Sequence, residues 1–404
     1  MGPRRSMRAP RSRSKLYRYR GLATCRTELT GRRILLFSST AETVGPTNSL
    51  LLTLRHLTRQ GCDVLVLLPN GGPFCERLRE EGFPYIGLPS LTKRHLPKMV
   101  QLVQREQIDL VYANNTRGSS RLAFVAASLA CVPFVCHVRS MEWDKSWMDL
   151  GYLKFADAVI AVSKACAAAV ERFVASGQLH VVYNGVPISR MPSFDPEVRL
   201  QARSTIGIPD SATLLLSLSH VCERKGQTYA VEAMQRLMER VPSAHLCVAG
   251  NLKRDPAYVD RLRADVLERG VEDRVHLLGF RSDVKELFGA ADMYVHTALA
   301  DPHPRAVVEA MAAGLPVVAF GVDGVAETVV DHETGRLVPA RDAAALAEAL
   351  GDVCTSPDMG EAYGRAGRAR VEAVFSDRAT VTGIQSVIEG VLSGKEAKAA
   401  HARA

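Results

Sequence analysis

The sequence predicts an α/β protein built on parallel sheets. Three observations carry this. Short apolar runs, of the kind that fill a strand buried on both faces, alternate with segments of helical periodicity along most of the chain. The 404 residues are enough for two domains with full cores. Hydrophobic residues make 47% and charged residues 23%, the balance of a globular chain.

The expected strands of the first half lie at 33–38, 63–68, 84–88, 109–113, 134–138, 158–162 and 180–182. Helices are expected at 47–60, 74–81, 96–105 and 120–130. Residues 189–196, with two prolines, read as a linker, and a second domain starts near Glu197. Its strands are expected at 214–219, 245–249, 274–278 and 315–320. Its helices are expected at 228–239, 255–269 and 304–313. Three more helices follow at 343–353, 361–374 and 377–392, and residues 394–404 read as a polar, disordered tail.

Charge is unevenly placed. The formal net charge is +8, but residues 1–33 hold ten Arg and Lys15 against Glu28 alone. The body is therefore close to neutral, which argues against a nucleic-acid binder. The basic arm reads as a disordered tail touching anionic lipid or nucleic acid, as a transit peptide, or as the product of a misplaced start. No apolar run behind it marks a secretory signal, and none elsewhere reaches the length of a membrane span. Nine cysteines without C-x-x-C or metal-ligand spacing suit reduced thiols in the cytoplasm.

In parallel sheets ligands bind beyond the carboxyl ends of the strands, and several such ends carry polar clusters. Gly45 sits in the first strand-to-helix turn, where a glycine admits close approach of backbone to ligand, or simply makes a turn. Asn114, Asn115, Thr116 and Arg117 follow one strand. His137, Arg139, Ser140, Glu142 and Trp143 follow another. A histidine there is a hydrogen-bonded core residue or a ligand contact. His220, Arg224, Lys225 and Gly226 form a basic turn, either solvated or suited to a diphosphate. No G-x-G-x-x-G is present, which argues against a nicotinamide enzyme.

The densest cluster is Asp301-Pro-His-Pro-Arg-Ala-Val-Val-Glu309, ending at Gly314. Pro304 fits the first helical position and Gly314 the stop. Asp301 then lies in the loop before a helix whose N-terminus suits a phosphate, and Glu309 lies on that helix. In isolation, Asp301 reads rather as a turn residue and Glu309 as part of a solvated helix face.

The run from Asp301 to Gly314 resembles the signature of retaining glycosyltransferases of the GT-B fold, specifically family 4 (glycosyl transferases group 1). The stretches Asp157–Lys164, Tyr183–Pro187, His220–Gln227 and Gly324–Glu327 resemble further landmarks of that family. Asp301 stands where the family usually has Glu, Pro304 where Gly is frequent, and His220 where Arg is frequent.

The resemblance implies two doubly wound Rossmann-like domains facing across a cleft, with the last helix crossing back to the first domain. The implied divisions are a basic arm at 1–30, an acceptor-side domain at 31–190, a nucleotide-sugar domain at 191–374, and the crossover helix with tail at 375–404. It implies transfer of a hexosyl group from a UDP- or GDP-sugar to an acceptor hydroxyl, with retention and without a metal or other cofactor. The setting would be glycan, lipid-linked saccharide or cell-surface polysaccharide biosynthesis. Asp301, His137 and Lys225 would be catalytic. Gly45, His220, Arg224, Lys225, Arg281, His303, Arg305, Ala306 and Glu309 would hold the donor, Glu309 through the ribose. Asn115 and Arg139 would meet the acceptor. The place would be cytoplasmic, with peripheral contact at an anionic membrane through residues 1–30. The competing readings are a nucleotide-sugar epimerase or hydrolase, and a degenerate scaffold that binds without catalysis.

Overall fold

The computed structural model describes residues 28–43, 45–116, 118–142, 144–190 and 196–401. Most of the basic arm, Arg117, Trp143 and most of the expected linker fall outside them. Seven strands form a first parallel sheet: β1 (Arg33–Phe37), β2 (Asp63–Pro69), β3 (Tyr85–Leu88), β4 (Leu110–Ala113), β5 (Phe134–Val138), β6 (Ala158–Ala161) and β7 (Leu179–Val181). Their order is β3-β2-β1-β4-β5-β6-β7. Six more form a second parallel sheet: β8 (Thr213–Leu218), β9 (Ala244–Ala249), β10 (Val275–Gly279), β11 (Met293–His296), β12 (Val317–Phe320) and β13 (Gly335–Val338). Their order is β10-β9-β8-β11-β12-β13.

The physical reason is the one the apolar runs suggest. Every residue of β4, β5, β6, β9, β11 and β12 is buried, because helices cover both faces of each sheet. Separate core clusters lie on the two faces of each sheet. Strand order reverses between β1 and β4 and again between β8 and β11. Loops diverge at such points and leave a crevice beyond the strand ends. All the expected polar clusters follow β1, β4, β5, β8, β10 or β11.

The expected strands and helices are present, with ends shifted by a few residues. The first helix begins at Gly45. Several elements were not anticipated, among them β11 and the helix Val284–Ala290. The helix Pro196–Thr205 is rich in polar residues, and it is held by Arg203, which is 1% exposed. The Arg203 guanidinium donates to Ala290 O at 3.0 Å, Ala212 O at 2.8 Å and Asp292 Oδ2 at 2.6 Å. A short helix Trp147–Leu150 runs into a tight turn Gly151–Phe155, and β13 adds an edge strand.

The last helix, Asp377–His401, continues past Gly394, where a disordered tail was expected. It crosses back to the first domain. Ile384, Ile388 and Leu392 enter the same core cluster as Leu50, Leu54 and Val66. His56 Nε2 lies 2.6 Å from Gln385 Oε1. The crossing begins where Val186 pairs with Ser376. A Cβ on Gly185 would stand 2.1 Å from the Ser376 carbonyl oxygen, so only glycine fits this join.

Candidate active site

The second domain builds its half of the site from the loops after β8 and β11. Gly226 takes a left-handed conformation, φ +61°, and a Cβ there would stand 2.3 Å from the Thr297 carbonyl oxygen. The close approach expected of this glycine is therefore made to the chain itself. Thr297 Oγ1 in turn donates to Lys225 O at 3.1 Å, and Arg224 Nη1 to Ala300 O at 2.8 Å. This clamp delivers Lys225 to Asp301, and the two form an ion pair in which both side chains are largely buried. His296, at the end of β11, places Nε2 3.3 Å from the same oxygen, Asp301 Oδ2.

Burial pushes the Asp301 carboxyl up, but contact from His296 and the charge of Lys225 outweigh it and hold the group below the usual carboxylate range. Burial pushes the His296 imidazole down, so the ring is neutral and Lys225 carries the compensating charge. The Asp301 backbone N–H donates to Asp323 Oδ2 at 3.1 Å, and its carbonyl accepts from Gly324 N at 3.1 Å.

The helix after this loop runs Arg305–Ala312, and Pro304 is its cap rather than its first residue. The Pro304 carbonyl accepts from Val308 N at 3.1 Å, so the ring begins the helix without costing it a bond. Gly314 is left-handed at φ +80°, as the stop requires. Arg305 Nε donates to Glu309 Oε1 at 2.8 Å, while its buried Nη1 has no partner among the described residues. His303 is buried between the rings of Tyr183 and Phe375, at 5.6 and 5.5 Å, with neither ring nitrogen bonded. Burial lowers its pKa to about 4.

The first domain contributes a chain of hydrogen bonds in which Arg139 is the charged member. Tyr112 OH and Arg139 Nη2 both meet His137 Nδ1, the latter at 3.2 Å. Arginine only donates, so Nδ1 accepts, Tyr112 donates, and the proton of the neutral ring sits on Nε2. That Nε2 is buried and unpartnered, an unspent donor. Burial, then the Arg139 charge, keep His137 well below its ordinary pKa. Arg139 is fixed by Asn114 Oδ1 at 2.8 Å and Asn184 Oδ1 at 2.7 Å. Asn184 belongs to a turn that reads as architecture alone in the sequence; in the structure it orients a site residue. The Arg139 charge is felt by His303 in the facing domain, and the Arg305 charge is felt by Arg139.

The remaining candidates are more dispersed. Gly45 opens the first helix, and a Cβ on it would meet nothing within 4 Å. Asn115 turns away from Arg139 and bonds Ser39 and Ser120. His220 is exposed among the charges of Arg254, Lys225 and Arg224. Arg281 pairs with Asp283, with Nε–Oδ1 at 2.8 Å. Ala306 is half-buried on the first turn of its helix. Among the described residues, no three His, Cys, Asp or Glu side chains converge as a metal site.

The seam between domains has its own anchor. Glu327 accepts from Lys164 N and Ala165 N of the first domain, each at 2.8 Å, and from Tyr183 OH at 3.0 Å. It thereby caps the helix Lys164–Val170, whose free N–H groups favour an anion. Sequence reasoning left Glu327 open between a helix-end residue and a ligand. It passed over Tyr112 and His296, and it singled out Tyr183 only as part of the Tyr183–Pro187 landmark.

Two Rossmann-like domains with polar clusters at facing switch points define the architecture of a GT-B glycosyltransferase. Two family models match along the chain, Glycosyltransferase Family 4 over residues 45–190 and Glycosyl transferases group 1 over residues 198–370. The chain belongs to this glycosyltransferase family. It is 28% identical over 309 residues to an alpha-maltose-1-phosphate synthase of Mycobacterium tuberculosis, covering 66% of this chain and 78% of the relative. It is 30% identical over 190 residues to a GDP-mannose-dependent alpha-(1-6)-phosphatidylinositol monomannoside mannosyltransferase of Mycolicibacterium smegmatis, covering 43% and 47% of the two chains. The crystal structure of Anabaena HepE in complex with UDP and glucose superposes with a TM-score of 0.80 at 23% identity, over 89% of this chain and all of that one.

Proposed function

We propose that the protein transfers a hexosyl group from a UDP- or GDP-sugar to an acceptor hydroxyl with retention of anomeric configuration, without a metal ion. The observation that carries this is unspent polar capacity. His137 Nε2, both nitrogens of His303 and Arg305 Nη1 are buried and unpartnered. Buried polar groups are ordinarily satisfied, so such a set beside an ion pair fits a polar, anionic ligand. The relatives that act on GDP-mannose or bind UDP support the donor class.

In this reading Glu309 holds the ribose hydroxyls. Lys225, Arg305 and the N-terminus of the helix Arg305–Ala312 stabilise the departing diphosphate. Donor binding draws Lys225 from Asp301 to the phosphates, and Asp301 then accepts from hydroxyls of the sugar. His137 donates through Nε2 to an oxygen of the sugar or acceptor. The bond from anomeric carbon to diphosphate oxygen breaks, the bond to the acceptor oxygen forms on the same face, and the acceptor proton leaves with the phosphate. Domain closure excludes water during the step. The acceptor is a saccharide or lipid-linked saccharide, and residues 1–30 add contact with an anionic membrane.

Thermal unfolding with uridine, guanosine and adenosine diphosphates and their sugars tests the donor half. One base should raise the midpoint selectively, and loss of that shift in Glu309→Ala would locate the ribose. A folded protein that responds to none of them refutes the reading in favour of a degenerate scaffold.

A further inference from the structure

The first domain carries a surface that the transfer reading does not use. Residues 147–155 form one helical run with two apolar sides. Leu150, Tyr152 and Leu153 face inward and are buried. Trp147, Met148 and Phe155 face outward, at 54, 84 and 73% exposure. Large aromatic and thioether side chains clustered in water are a cost that a binding surface explains. Leu129, at the end of the helix Gly118–Leu129, is also exposed.

The neighbouring helices show what covers this surface. Met99, Leu102 and Val103, Ala123, Ala126 and Ala127, and Leu150 and Leu153 share one core cluster. The segments that carry them, 96–105, 118–129 and 147–155, therefore cover the same face of the sheet. Arg121 Nη1 donates to Met148 O at 2.8 Å, and Phe124 packs on Tyr152 at 5.6 Å, which ties the last two together.

The outward residues of this face are basic. No carboxylate occurs between Gly82 and Arg105, a stretch that holds Lys93, Arg94 and Lys98. These three, with Lys154, Arg121 and Arg172, have no carboxylate partner among the described residues. The carboxylates nearby are already engaged or few. Asp144 pairs with Lys145, Asp149 caps its own helix at Ser146, Glu106 takes Arg105, and Glu171 is exposed.

We propose that this face docks the protein on an anionic phospholipid bilayer. Trp147, Met148 and Phe155 enter the headgroup boundary, and Lys93, Arg94, Lys98, Arg121, Lys154 and Arg172 meet the lipid phosphates. The geometry suits delivery of a lipid-borne acceptor. Lys93 follows the carboxyl end of β3, and the 144–155 segment follows β5, which carries His137 and leads into Arg139. From there the segment descends along the face to Phe155, which precedes the amino end of β6, so the bilayer lies along a face whose upper margin adjoins the first domain's site. This docking surface is distinct from residues 1–30.

Trp147 lies in this segment and the chain's other tryptophan, Trp143, is four residues before it in sequence, so intrinsic emission reports on Trp147. The test mixes the full chain with phosphatidylcholine vesicles, with and without phosphatidylglycerol, and reads emission and co-sedimentation. A blue shift and pelleting with the anionic vesicles only are expected. Lys93→Glu/Arg94→Glu/Lys98→Glu should weaken binding by at least about a hundredfold. Met148→Ser/Phe155→Ser should weaken it about tenfold or more. Both variants should keep the wild-type unfolding midpoint and its shift with nucleotide diphosphate, since none of these side chains is in the site. Absence of wild-type binding overturns the proposal, as does binding unchanged in both variants. Binding abolished by removing residues 1–30 alone assigns the contact to the arm and also overturns it. None of these readouts requires transfer, so failure here leaves the donor reading standing, and the reverse holds as well.

Discussion

The two halves of the site solve the same problem with different materials. The first domain holds His137 and Arg139 by neutral amides and a phenol: Tyr112, Asn114 and Asn184. The second holds its groups by charge, Lys225 against Asp301 and Arg305 against Glu309. The first network surrounds its one cation with neutral partners and leaves one donor, His137 Nε2, free. The second stores its cations on its own carboxylates until a stronger anion arrives. The difference teaches that, in the proposed function, the second half is the one a diphosphate would repartition while the first stays still.

The harshest way to break this comparison is Lys225→Ala. Transfer should fall at least about a hundredfold, in line with loss of one fixed contact to the leaving group. A near-wild-type rate would mean that the ion pair only holds the fold. Acidification comes next. His303 has a folded pKa of about 4, against an ordinary value near 6.5. The unfolded chain therefore binds more protons between those values, and stability present above pH 6.5 is lost as pH falls through 4. From pH 7 to pH 5 this one ring should cost about 2 kcal/mol, and His303→Gln should flatten the unfolding profile by that amount.

A smaller effect is expected from Glu309→Ala: about tenfold weaker donor binding by titration, from one lost charge-assisted hydrogen bond. Unchanged affinity would remove the ribose assignment and leave Glu309 as a partner of Arg305 alone. Tyr112→Phe should be mildest. It removes one donor to His137 while Arg139 still supplies the other. Unfolding should cost about 1 kcal/mol less, with transfer falling only severalfold. A loss as large as that of Lys225→Ala would show that the first half is not the passive one.

Much of this was legible before the coordinates. Buried parallel strands announce themselves as apolar runs, and their carboxyl ends locate the polar loops. Asp301, Lys225 and His137 lie at or just after such ends, and Glu309 on the helix that follows one of them. Pairings across long separations were not legible. Nothing in sequence ties Lys225 to a residue 76 positions away, and the pairing decides how both behave. No motif marks Arg203, which is the buried post of the second domain. Gly226 reads as room for a ligand and is instead room for the Thr297 carbonyl. Asn184 sits in a turn motif, which hid its hold on Arg139.

The crossover helix has a consequence for anyone who would recombine these enzymes. Ile384, Ile388 and Leu392 belong to the core of a domain whose other residues end near Val186. The first domain is thus encoded in two pieces, with the whole second domain spliced between them. A chimera cut once, at the junction near residue 190, would graft a foreign helix onto the groove beside Gly45–Arg59 and strip several apolar residues from its core. A chimera cut twice, near residues 190 and 376, would carry each core intact. Its remaining difficulty would be Glu327, which must find two backbone N–H groups and a tyrosine on whichever partner it is given.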